Sequence, residues 1–274
     1  LPDLNLTDTH CHIQSIGKTV GDKGTMELWA KDSGLDPDIV VSEALEAGVS
    51  RLICVGCDYE DSRLAIDFAL GRSNCWASAG IHPHEAKYYA GNKTALKKFE
   101  KLVSDNKIVA IGECGLDYYY NHSPKEAQIE VLRFQIELAI KKGLPLIFHV
   151  REAFDDFWDV FNDYPAIKGV LHSFTDRKVN LELALSSNMY IGVNGIATFA
   201  KNEHLAEVYK QIPISQLLLE TDAPFLTPVP YRGSINIPKR LVSTAEYLAD
   251  LRGEDLQELA RNTTASAIKL FGLD

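Results

Sequence analysis

The sequence predicts an α/β protein folded as one (β/α)8 TIM barrel, a single domain over residues 1–274 with extra C-terminal helices. Three observations predict it. Short runs rich in β-branched and other apolar residues alternate with longer amphipathic segments, the pattern of βα units. Eight such runs occur, and most are almost continuously hydrophobic, as parallel strands covered on both faces require. No G-x-G-x-x-G follows the first run, which removes the main support for the competing architecture, an open doubly wound sheet.

The first strand is expected in "LNLTDTH" (residues 4–10). A long stretch rich in Gly, Lys and Asp follows, about residues 13–36, and is expected to form a flap over the barrel mouth. "PDIVVSEALEAG" (37–48) opens with Pro and Asp and closes on Gly48, as a helix start and stop do. The second strand, "RLICVGC" (51–57), contains a C-x-x-C. In an extended segment that spacing turns Cys54 and Cys57 to opposite sides, so neither a zinc nor a redox role is expected. "CWASAGIH" (75–82) and "IVAIGECG" (108–115) supply strands three and four. The segment 123–143 is the strongest helical pattern. Ser123 is positioned to cap it with Pro124 at its first position, and Gly143 follows a basic last turn. Ile129, Leu132, Ile136 and Ile140 recur along it at three- and four-residue steps. Strands five to eight follow in "LPLIFHV" (144–150), "GVLHSF" (169–174), "MYIGVNG" (189–195) and "QLLLETD" (216–222). From Pro238 onward the pattern is helical and completes the outer ring.

Composition narrows the function. No stretch approaches a membrane span. The first residues show neither a basic n-region nor an apolar h-region, so a cytoplasmic location is expected. Five scattered cysteines read as reduced and mostly buried. A net charge of −10 opposes non-specific coating of nucleic acid, but it permits a local site that grips one or two phosphates. The sequence shows no low-complexity tract, linker or repeat of solenoid length, and no obligate protein partner is expected.

The polar residues fall in a pattern of their own. Asp8, His10 and His12 alternate along the first strand, so all three side chains should converge on one face. In barrels of this class, active sites lie at the C-terminal ends of the strands. His10 and His12 lie at the end of strand one, His82 and His84 at strand three, His149 at strand five and His172 at strand six. Glu113 ends strand four and Asp222 ends strand eight; of the eight histidines only His122 and His204 lie elsewhere. Any one of these residues alone suits a hydrogen-bonded structural role. Four histidines and two carboxylates in one cavity are better compensated by a metal, and His10, His12, Glu113 and Asp222 are the expected ligands. His82 is expected to contact substrate, and the role of His84 stays open. Tyr118–Tyr120 either stack a base or pack.

Seven motifs in order resemble the TatD family of metal-dependent hydrolases, in the amidohydrolase-like barrel group. They are "DTHCH" (8–12), "GIHPHEA" (80–86), "IGECGLDYY" (111–119), "LPLIFHVREA" (144–153), "LHSFT" (171–175), "LLETDAPFLTP" (218–228) and "YRGSINIP" (231–238). The resemblance implies a deoxyribonuclease that hydrolyses phosphodiester bonds of DNA with two divalent ions. It further implies that His10, His12 and Asp222 hold one ion, that His149 and His172 hold the other, and that Glu113 bridges them. Two departures concern loop shape and substrate preference: Asp176 stands where glycine is usual, and Gln14 where an acidic residue is common.

Two ions suit phosphodiester hydrolysis by activating a water and neutralising transition-state charge. Asp222 is the expected proton acceptor, and Arg151 and Arg232 are the expected phosphate clamps. The acidic chain suits attack on strand ends or short DNA rather than sliding along duplex. Imidazoles favour Zn2+, Ni2+ or Mn2+, whereas carboxylates and phosphate chemistry favour Mg2+ or Mn2+. A rival enzyme of the same kind is an amidase or esterase such as a deacylase, its ions polarising a carbonyl. A non-enzymatic scaffold is the third reading, opposed by the complete ligand set.

Overall fold

The computed structural model describes residues 4–32, 34–164, 167–199 and 203–273. Eight strands form one sheet in sequence order: β1 Leu6–Cys11, β2 Val49–Val55, β3 Cys75–Ala79, β4 Ile108–Asp117, β5 Leu146–Arg151, β6 Gly169–Leu171, β7 Tyr190–Val193 and β8 Leu217–Leu219. Every neighbouring pair is parallel, with helices between, which makes a (β/α)8 barrel. The continuous hydrophobicity is explained by burial: all ten residues of β4 and all six of β1 are buried.

The seam between β1 and β8 is closed by few contacts. His12 N donates to Ala223 O and Asp222 N to His10 O, both at 2.8 Å. Side chains add the rest. Asp8 accepts from Thr221 N at 2.9 Å and Thr221 Oγ1 at 2.6 Å, and Thr9 Oγ1 donates to Leu219 O. Asp8 therefore departs from the expected convergence with His10 and His12. The seam takes its carboxylate, because backbone pairing alone leaves buried donors on the β8 side. The two last helices, Leu241–Arg252 and Leu256–Phe271, finish the ring as expected, and Thr264 Oγ1 of the second donates to Asn5 O at 2.7 Å.

Local expectations hold unevenly. The helix Lys125–Lys142 ends on Gly143 at φ 69°, the left-handed turn that glycine adopts without steric cost. Ser123 does not cap it. Its hydroxyl donates to His84 O and accepts from Lys87 N, serving the loop after β3 instead. Ile129, Leu132 and Ile136 face the core, but Ile140 is 54 % exposed because the stripe turns outward in the last turn. The segment after β1 is anchored to the barrel at several points. Gln14 and Ser15 donate to Asp61, a short helix Lys23–Trp29 is capped by Asp22, and Trp29 Nε1 donates to His12 O at 3.0 Å. Ser33 lies outside the described residues.

Candidate metal centre

The C-terminal rim gathers the residues singled out from sequence. β1 carries His10, with His12 in the turn that follows, and their Nε2 atoms lie 3.2 Å apart. Asp222, leaving β8, places Oδ1 3.4 Å from His12 Nε2 and 3.7 Å from His10 Nε2. Its φ of 56° is unusual for a non-glycine residue. The conformation is held by its N–H on His10 O and by Phe225 N donating to Asp222 O. Glu113 sits between two groups. Its Oε2 lies 3.4 Å from His10 Nε2. Its Oε1 lies 2.8 Å from His149 Nδ1 and 3.7 Å from both His172 Nε2 and His82 Nε2. The His172 ring stacks on His10 with centroids 3.6 Å apart.

These donors fit a metal. Atoms that share one ion at about 2.1 Å lie roughly 3.0–3.4 Å apart in octahedral or tetrahedral shells. The His10, His12, Asp222 and Glu113 spacings run from 3.2 to 3.7 Å. The outward-facing nitrogens support the same reading. His12 Nδ1 lies 2.8 Å from Val55 O, a pure acceptor, so that nitrogen carries the proton and Nε2 turns its lone pair inward. His149 Nε2 lies 3.0 Å from Asp117 Oδ2, which leaves Nδ1 facing Glu113. His172 Nδ1 lies 3.0 Å from Glu220 Oε1, a charge contact rather than an aligned hydrogen bond. His10 lacks such backing, its Nδ1 being buried with no partner.

The electrostatics show a nest built for positive charge. Burial opposes protonation of His12, yet Asp222 and Glu113 outweigh it and raise its pKa to about 9. His149 is likewise raised to about 9, by Asp117 and Glu113 against burial. His172 is raised to about 10, by Glu220 and Glu113. His10 moves down, through burial and the neighbouring His172. Burial would push Glu113 up, but the surrounding histidines hold it well below its ordinary range, and Asp222 is lowered by His12, His172 and His10.

His82 differs. Its Nδ1 accepts from His84 N at 3.2 Å, so the neutral ring carries its proton on Nε2, facing Glu113. Burial pushes its pKa well below the ordinary value, which makes it a neutral donor at the site. His84 turns aside to Asp117, with Nε2 3.0 Å from the same Oδ2 that meets His149. Arg151 ends β5, exposed, beside a cavity of about 270 Å³ also lined by His172, Thr175 and Asp176. Arg232 lies over the Phe199 ring at 3.6 Å, in the loop after β8, and no described contact joins it to the cluster.

Sequence reasoning did not single out Asp117 or Glu220. Asp117 stands four residues after Glu113 on β4, and Glu220 two residues before Asp222 just past β8, so the same even spacing that marked His10 and His12 could have found them. Cys57 Sγ lies 4.0 Å from His12 Nδ1 and from Glu113 Oε2, whereas Cys54 is buried on β2 in the core. All five cysteines are free. Asp61, next to Cys57, is pushed up to about 6 by burial and accepts from Cys57 N, Ser15 and Gln14, which makes it a structural carboxylate.

Comparison with known proteins agrees with this arrangement. A family model described as TatD related DNase matches residues 7–272. The "3'-5' ssDNA/RNA exonuclease TatD" of Erwinia amylovora is 38 % identical over 87 % of this chain and 94 % of its own. "Uncharacterized metal-dependent hydrolase YabD" of Bacillus subtilis is 34 % identical over 98 % of this chain and all of its own (100 %). Among solved structures, the TatD homologue YJJV of Escherichia coli K12 superposes with a TM-score of 0.84 at 26 % identity, covering 98 % of both chains. Agreement over nearly the whole barrel, at this identity, means that the chain belongs to the TatD family of metal-dependent hydrolases.

Proposed function

We propose that the protein is a deoxyribonuclease that hydrolyses phosphodiester bonds of DNA at strand ends or in short segments, using two divalent ions. Glu113 carries this reading, because its Oε2 faces His10 while its Oε1 faces His149, with His172 and His82 both at 3.7 Å. In it, His10, His12 and Asp222 would hold one ion and His149 and His172 the other, with Glu113 serving both; Mg2+, Mn2+, Zn2+ and Ni2+ all suit the donor set. Bound there, the ions supply the acidity that an attacking water needs and positive charge for phosphoryl oxygens. The relatives named as exonucleases support the same substrate class.

The chain's own groups complete the chemistry. Asp222 is ionised at neutral pH because His12, His172 and His10 lower its pKa, and it takes the proton of the attacking water. His82 donates Nε2–H to a phosphoryl oxygen. Arg151 meets the neighbouring phosphate, with Arg232 reaching in from its loop as the strand enters. The test is a metal-reconstituted assay on end-labelled single- and double-stranded DNA, with RNA and an N-acyl substrate in parallel. Metal-dependent shortening of the DNA is expected. Turnover of the N-acyl substrate alone would overturn the nuclease reading in favour of a deacylase.

A further inference from the structure

β4 and β5 end side by side: Asp117 pairs with Arg151, and Tyr118 N donates to Arg151 O at 3.0 Å. The chain leaving β4 therefore carries Tyr119 and Tyr120 across the Arg151 side chain. The guanidinium carbon lies 4.2 Å from the Tyr119 centroid and 4.7 Å from that of Tyr120. The two rings meet edge to face at 4.9 Å, and Tyr120 lies parallel to His122 at 5.7 Å. Both tyrosines are about half exposed, at 54 % and 50 %. Tyr118 differs, since its hydroxyl is tied to Asp156 at 2.6 Å and Lys125 covers its ring.

Packing does not account for this group. Arg151 has no carboxylate partner among the described residues, in a chain with 38 acidic residues to choose from. Two large rings are left open to solvent beside it. The group is also connected to the metal centre. Tyr120 meets His84 edge to face at 5.5 Å, and His84 and His149 share Asp117 Oδ2 at 3.0 Å each.

We propose that Tyr119, Tyr120 and Arg151 form a base-stacking subsite that takes an unpaired nucleobase and so sets a preference for single strands over duplex. The proposal rests on the nuclease reading and deepens it. The half of each tyrosine left open to solvent offers aromatic surface that binds bases of any sequence, and the guanidinium held against the rings adds a cation to face the phosphate beside the stacked base. A base inside a duplex already has both faces covered and must leave its stack before it can use the platform. The acidic chain offers few other ways to hold a strand, so stacking supplies what distributed charge does not.

The test measures binding of a fluorescent single-stranded oligonucleotide to the full chain in EDTA, by anisotropy. Tyr119→Ala and Tyr120→Ala are each expected to weaken binding roughly 5- to 100-fold, the range for loss of one stacked base. Tyr119→Phe and Tyr120→Phe should bind as wild type does, which separates stacking from damage to the loop. An oligonucleotide with one abasic nucleotide, moved along the strand, should weaken wild-type binding at one position and make no further difference to the alanine variant there. The ratio of single-strand to duplex affinity should also fall towards one in the alanine variants. Wild-type affinity in both alanine variants, or losses in the phenylalanine variants equal to those with alanine, overturns the subsite. A wild-type protein that cleaves oligonucleotides while its alanine variants bind normally loses only this inference. One that neither binds nor cleaves any oligonucleotide loses the nuclease reading with it.

Discussion

At the scale of single residues, Glu113 and Asp222 are both carboxylates beside histidines, and the proposed function gives them different work. Glu113 touches both sets of donors, so Glu113→Gln should lower the metal content of both, because a neutral amide is a poor bridging ligand. Asp222 meets His12 and His10 at 3.4 and 3.7 Å and reaches the other set only at His172, 3.9 Å away. Asp222→Asn should keep substantial metal but lose the proton acceptor, with a fall in single-turnover rate of about 10²- to 10⁴-fold. Mass-spectrometric metal analysis alongside single-turnover cleavage at saturating Mn2+ distinguishes the two. Recovery of wild-type rate by Asp222→Asn would leave Asp222 as a ligand only. The histidines give a second prediction. With pKa values raised to about 9 for His12 and His149 and about 10 for His172, the metal-free fold keeps protons that the unfolded chain releases near 6.5. Their stabilising contribution is therefore complete below about pH 6.5 and is lost as the pH rises through about 9 for His12 and His149 and about 10 for His172. A metal must displace the same protons, so metal uptake should release protons and tighten as the pH rises towards about 9 to 10. Calorimetric titration in two buffers of different ionisation enthalpy measures the release; heats independent of buffer would contradict it.

At the scale of elements, the site depends on close approach of neighbouring strands. Gly115 of β4 has φ 151°, and a Cβ there would lie 1.8 Å from His149 O on β5. Gly115→Ala must push the two strands apart at the point where Glu113, Asp117 and His149 meet. It is expected to cost more than about 4 kcal/mol of stability and to lower metal content; wild-type urea midpoint and metal content would show that the strands part freely. This also marks what the sequence could and could not convey. Strand-sized apolar runs and rim histidines were legible because burial on both faces and chemistry at strand ends each leave a one-dimensional pattern. Alternation predicted the meeting of His10 and His12 correctly but misdirected Asp8, whose carboxylate is taken by Thr221 across the seam. Nothing local to "LTDTHCHI" encodes how weakly β1 and β8 pair. The role of Ser123 failed for a related reason, since the loop after β3 competes for its hydroxyl. His84 could not be placed from its own segment, because its partner Asp117 comes from a neighbouring strand and register decides which groups meet.

At the scale of the whole molecule, the proposed strand-binding site must coexist with a net charge of −10. A nuclease that tracked along its substrate would need a row of cations, and each phosphate it neutralised would release counterions. Here the arginines near the mouth are few. Arg151 lies over two tyrosines and Arg232 over Phe199, while Arg63, Arg133 and Arg252 are engaged by carboxylates. Two neutralised phosphates give a slope of about −1.4 in log affinity against log salt for a single strand, whereas six give about −4. Binding of a short single strand in EDTA should therefore follow the shallow slope. Arg151→Ala should reduce its magnitude by about 0.7, the share of one phosphate, on top of any loss of stacking. Anisotropy titrations from about 50 to 200 mM salt cover the range in which the two slopes separate. A slope near −4 would reveal a basic track that the net charge conceals, and it would replace a local grip on strand ends with binding along the whole strand.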